Sequence, residues 1–188
     1  MKKNVLILSL LMTPLIMTAQ SIFEKYEDMD QVTSVVVNQK MFKMLANIDI
    51  QTNDADADDF INQVKMLDNL TVFTTDNIAV SNSMKKDVTK YIKNSKLEEL
   101  MRIKDGDQTV NFFVLEGKDD NHVKELLMFV NGLGDLTKNE NISINGKQRV
   151  IETVLLSLTG DIDLREVSKL TNQLNVPGGE QLKKASKK

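Results

Sequence analysis

The stretch "LEELMRIKDGDQTVNFFVLEG", Leu97 to Gly117, constrains the fold more than any other part of this chain. Two arms rich in apolar and β-branched residues flank Asp105-Gly106-Asp107, a turn sequence that tolerates positive φ, so the arms are expected to pair as an antiparallel hairpin. Any architecture for the chain must include that local sheet.

The neighbouring segments extend it. "LTVFTTD" reads as a strand from Leu70 to Thr75. "SNSMKKDVTKYIKN" reads as a helix capped by Ser81 or Ser83, with Met84, Val88, Tyr91 and Ile92 inward. "DDNHVKELLMFVNGLG" has helical spacing at Val123, Leu126, Leu127 and Val130, with Asp119 or Asp120 as its cap and Gly132 as its stop. Asn145-Gly146 marks a second turn, from a short "NISI" arm into the long strand "RVIETVLLSLTG". From Leu70 to Thr159 the order is strand, helix, strand, strand, helix, strand. The expected fold class is therefore α+β: a two-layer sandwich with a ferredoxin-like βαββαβ core at about 70–159. An N-terminal strand and two helices and a C-terminal helix would extend it. The near-continuous "VLLSL" keeps open a mixed sheet with helices on both faces.

In the N-terminal extension, Val32 to Val37 is a β-branched run. Met41, Phe42, Met44, Leu45 and Ile48 then follow at helical spacing, and core filling is the favoured use of this methionine-rich face. "QTNDADADD" reads as a polar loop, and Phe60, Ile61, Val64 and Leu67 make a second helical stripe. At the other end Gly160 is expected to stop the long strand. Asp163 and Glu166 then form an acidic capping box for the helix "LREVSKLTNQL", a role worth about 1 kcal/mol that needs no ligand.

The chain's first nineteen residues are expected to be a signal peptide. Lys2 and Lys3 precede the apolar run "NVLILSLLMTPLIMTA", which a polar segment follows too soon for a membrane anchor. Residues 20–176 then form a single domain, and 177–188 a flexible basic tail ending in Lys183, Lys184, Lys187 and Lys188. The chain has no cysteine, so neither a thiol-linked lipid nor a disulfide is available. The expected location is the periplasm or the exterior of a Gram-negative bacterium.

Composition narrows the chemistry. The formal charge is −3, and losing Lys2 and Lys3 makes it more acidic, which argues against nucleic acid as a partner. "DADADD" places Asp54, Asp56 and Asp58 at the alternate positions of a calcium loop. However, Asp59 stands where that loop needs glycine and Lys65 where it needs a closing glutamate, so only a weak cation site survives. His122 is the single histidine, which with no cysteine makes a zinc site improbable, and no GxSxG elbow occurs. "NGLGDL" ends a helix rather than starting one, the wrong polarity for anion capture. With no tryptophan and two tyrosines, stacking platforms for sugars are scarce.

Three segments, "FEKYEDMDQVTSVVVNQKMFKML", "LEELMRIKDGDQTVNFFV" and "LLSLTGDIDLREVSKL", resemble the bacterial domain-of-unknown-function family 4252. The resemblance covers nearly all of the chain after the leader. It implies a small exported protein of the Bacteroides and Flavobacterium group, and it carries no catalytic residue or cofactor.

The expected function is thus a non-enzymatic envelope protein acting through contacts with other proteins or the envelope, without cofactor. Met41, Met44, Asp105 and Gln108 are its candidate interaction surface. The alternative is a periplasmic domain binding a small ligand or lipid in an apolar, methionine-rich pocket, since the chain holds ten methionines. Oligomeric state is left open by the sequence.

Overall fold

The computed structural model describes residues 21–47, 55–138, 143–144, 147–148 and 150–166, and the structural statements below concern these. The expected leader, the expected basic tail and most of the expected C-terminal helix lie outside them. In chain order the elements are α1 (Ser21–Glu24), β1 (Thr33–Asn38), α2 (Gln39–Ala46), α3 (Ala55–Lys65), β2 (Leu67–Thr75), α4 (Ile78–Asn94), β3 (Glu98–Asp105), β4 (Gln108–Glu116), β5 (His122–Asn131), α5 (Gly134–Thr137), β6 (Ser143–Ile144), β7 (Lys147–Gln148) and β8 (Thr153–Asp163). Six strands form one sheet in the order β1-β2-β8-β5-β4-β3, with every neighbouring pair antiparallel. The fold is α+β, as the sequence led us to expect.

The hairpin forms as read: Asp105 pairs with Gln108 across the turn, and Gly106 takes a φ of 55°. The ferredoxin-like order does not. Residues 122–131, expected as its second helix, are strand β5, flanked by β4 and β8 near the middle of the sheet. The reason lies in the run "LLMFV". A strand covered on both faces has no polar alternation, and its continuous apolar run satisfies helical spacing equally well. A bulge between Val123 and Glu125 strengthens the resemblance by putting Val123 on the same face as Leu126. Asp119 therefore caps no helix. Its carboxylate accepts the Asn121 amide at 2.9 Å and sits 2.7 Å from His122 Nδ1, shaping the β4–β5 turn.

Helices cover both faces, so the two-layer sandwich becomes three layers. On one face α1, the turn after it and α4 cover Phe73, Phe113, Leu127, Phe129 and Leu155 with Phe23, Tyr26, Met84, Val88 and Tyr91. On the other, Phe42 and Ala46 of α2 and Val64 of α3 lie over Leu67, Phe112, Val114, Leu126 and Ile162. In β8, Leu155 faces one core and Leu158 the other, which explains the near-continuous apolar run.

Several local expectations change. In α2 only Phe42 and Ala46, one turn apart, are buried, while Met41, Met44 and Leu45 are exposed; Ile48 lies outside the described residues. A two-turn helix presents one narrow stripe, and spacing alone does not set its phase. α3 begins at Ala55, so the expected polar loop is already helix there. β8 runs through Gly160 to Asp163 instead of stopping. Asp163 still caps the turn after it, accepting the Arg165 amide at 2.9 Å. The "NISI" arm pairs not with β8 but with β7, in a separate ribbon whose partners flank Asn145-Gly146.

The cap of α4 is Asn77 rather than Ser81 or Ser83: its Oδ1 accepts the amides of Ala79 at 2.9 Å and Val80 at 3.1 Å. Ser81 is instead buried against Thr153, with 2.5 Å between the hydroxyl oxygens. Replacing Asn77 with alanine should therefore cost about 1 kcal/mol. Chemical denaturation of the variant would measure this, and Ser83→Ala, which removes only a hydroxyl bonded back to the Ala79 carbonyl, should change little.

Candidate functional site

On the α1/α4 face the sheet registers line up side chains in rows. Ser34, Phe73, Leu155, Phe129 and Asn111 form one row across β1, β2, β8, β5 and β4. The next row toward the β5–β8 bulge reads Val36, Thr71, Ser157, Leu127 and Phe113, and the one after it Asn69, Thr159 and Glu125. The surface thus passes from apolar to polar along the strands toward the β5–β8 bulge. There α1 forms a roof: the ring of Phe23 meets Tyr91 edge-on at 5.2 Å, and the Tyr26 hydroxyl donates to Asp87 of α4 at 2.5 Å.

Between roof and sheet lies a cavity of about 250 Å³, open to solvent. Phe23, Val36, Phe73 and Leu155 supply its apolar wall. Its polar wall consists of Asn69, Thr71, Ser157 and Thr159, with Tyr91 and Glu125 at the inner end. Glu24 and Glu27 also line it, so among the described residues its charged lining residues are all acidic.

Glu125 is the least expected of these, being only 7% exposed. Tyr91 donates to one carboxyl oxygen at 2.7 Å and Ser157 to the other at 3.4 Å. Burial raises its pKa above the ordinary glutamate range, and the two hydroxyl donors only partly offset this. The Tyr91 phenol is pushed up as well, by burial first and then by the carboxylate beside it, so it stays a donor. A strained proton affinity inside a cavity marks a position where function concentrates.

The residues singled out from sequence lie elsewhere. Asp54 is outside the described residues. Asp56 and Asp58 are on α3, and Asp58 is exposed. Among the described residues no group of three His, Asp or Glu side chains could hold a metal. Met41 and Met44 follow edge strand β1, whereas Asp105 and Gln108 close the hairpin that forms the opposite edge, so the four do not share a surface. His122 opens β5, tethered to Asp119 and 3.9 Å from Asp163. Sequence reasoning missed Glu125 because a helical reading turns it toward solvent. As a strand, period two places it in line with Leu127 and Phe129, and an acid on an apolar row was the available signal.

A family model described as "Domain of unknown function (DUF4252)" matches residues 26–170. The chain belongs to the DUF4252 family. The DUF4252 match spans every strand of the six-stranded sheet and begins at Tyr26, whose hydroxyl ties the roof of the cavity to α4. Comparison with curated proteins and with solved structures finds no match. Among the described residues no helix of this DUF4252 member is long and apolar enough to cross a membrane.

Proposed function

We propose that this is an exported, non-catalytic binding module that takes a small organic cation, an amine with a short apolar body, into the cavity at Glu125. The observation that carries the reading is the buried carboxyl of Glu125 in a cavity whose charged lining, among the described residues, is acidic. An ammonium group would meet Glu125 where water is largely excluded, and its apolar body would lie against Phe23, Phe73 and Leu155. Export rests on the signal-like pattern of residues 1–19, Lys2 and Lys3 ahead of an apolar run. Binding is favoured over turnover because most of the polar wall is sheet, whose amides are committed to the ladder rather than aimed at a developing oxyanion. The lining is phenylalanine and aliphatic rather than methionine-rich, so the pocket differs from the one its composition suggested.

The test is calorimetric titration with n-butylammonium and, as a neutral probe, 1-butanol. Butylammonium should bind, butanol should not, and Glu125→Gln should weaken binding on the order of 10- to 100-fold, the range for losing one charged hydrogen bond. pH gives a second signature. The folded pKa of Glu125 is raised, so its contribution to stability is full below the ordinary glutamate pKa and is lost as pH rises through the folded value. Cation binding should strengthen over that same interval, and Glu125→Gln should flatten both curves. Equal affinity of the variant and the parent for butylammonium would sink the proposal.

A further inference from the structure

The two edges of the sheet differ in kind. β3, at one edge, reads "EELMRIKD" and carries five charges in eight residues, which protects an edge from pairing with another strand. β1, at the other, reads "TSVVVN": it has no charge, no proline and no bulge against β2. Val35 and Val36 are 50% and 48% exposed, and among the described residues β1 pairs with β2 alone. Helix α2 follows without a break and adds Met41, Met44 and Leu45, all exposed. Natural sheets rarely leave so bare an edge unpartnered.

We infer that the occupant of this edge is a second copy of the same chain, its β1 paired antiparallel to the first about a two-fold axis at Val36. The inference is independent of what the cavity binds. An antiparallel pair related by a two-fold axis perpendicular to the sheet keeps the same face of both copies upward, so opposed residues must have matching pleat. Val36 against Val36 meets that condition. It sets Val35 against Val37 and Ser34 against Asn38, with no charged pair anywhere in the ladder.

Charge at the strand ends selects the same arrangement. The turn before β1 exposes Glu27, Asp28 and Asp30, and the helix after it exposes Lys40 and Lys43. Antiparallel docking carries the acidic end of each copy toward the basic end of the other, whereas a parallel arrangement would set like against like. The result is one continuous twelve-stranded sheet. Val36 also lines the cavity, so the interface and the cavity share a wall.

Sedimentation velocity on protein purified after expression of the full chain, over roughly 1–100 µM, decides the matter by mass action. The parent should be a dimer that dissociates on dilution. Val36→Lys, which opposes two ammonium groups at the axis, should raise the dissociation constant at least ~10-fold while circular dichroism stays that of the folded chain. Lys40→Glu with Lys43→Glu should weaken the dimer, and adding Asp28→Lys with Asp30→Lys should restore it. If Val36→Lys fails to fold, hydrogen exchange of the parent replaces it: β1 amides should gain protection as concentration rises, while β3 amides should not. A parent that is monomeric throughout, a dimer indifferent to Val36→Lys, or β1 protection independent of concentration overturns the inference. A dimer indifferent to the charge exchange overturns the antiparallel arrangement.

Discussion

Phe73→Ala is expected to lower the stability of this protein by about 3–5 kcal/mol, the range for emptying a buried phenylalanine site. Phe73 is 1% exposed in β2, opposite Ser34 of β1 and Leu155 of β8. Its ring lies 5.9 Å from that of Tyr26, which α1 and the turn after it press onto the sheet. The lost volume lies under that roof and beside an existing cavity, so neighbours have few atoms with which to fill it. Urea denaturation should show a lower midpoint at an unchanged slope. Phe73→Leu, which keeps most of the volume, should cost only ~1–1.5 kcal/mol. A loss below ~1 kcal/mol for the alanine variant would mean that the roof does not pack against this face.

The second large effect is expected at Gly160, where alanine should cost at least ~2 kcal/mol through backbone strain alone. Gly160 has a φ of 143°, a conformation that side chains other than glycine rarely adopt. A Cβ there would also stand 2.4 Å from the Met66 carbonyl oxygen and 2.8 Å from the Leu67 Cα, both backbone atoms that cannot swing aside. The close approach has a purpose in the fold. It lets β8 continue past the bulge at the start of β2, where the Asp161 amide donates to the Met66 carbonyl at 3.0 Å. Gln63 then clasps the strand end, its amide donating to the Asp161 carbonyl at 3.0 Å and its oxygen accepting the Asp163 amide at 3.2 Å. Denaturation of Gly160→Ala measures the loss, and faster amide exchange at Asp161 and Asp163 would place it. Gly106 is the control: its φ is also positive, at 55°, but nothing lies within 4 Å of its Cβ position, so alanine there should cost only ~1 kcal/mol.

Much of the candidate site could not have been found along the chain. Tyr91 was legible as an inward residue of a helix, and Ser157 and Thr159 as part of a strand. That Ser157 and Thr159 meet Glu125 depends on β8 pairing with β5, and that Tyr91 does so depends on α4 packing over this face, both relations between segments far apart in the sequence. The acidic clusters that attract attention in the sequence, around Asp56 and Asp119, are instead a helix start and a turn. Glu125 is a single acid in an apolar run, and its importance comes only from what surrounds it.

The chain by itself determined the features that depend on near neighbours. These are the hairpin around Gly106, the α4 stripe of Met84, Val88 and Tyr91, the Asp163 cap and the α+β class. Each follows from turn geometry, helical period or an orphan amide, all of which act within a few residues. Only the tertiary structure decided that 122–131 is a strand, that helices cover both faces, and that Met41 and Met44 stay outside. A continuous apolar run is compatible with either secondary structure when considered alone. Burial on both faces, and the hydrogen bonds that β5 exchanges with β4 and β8, resolve it, and those partners are distant in sequence.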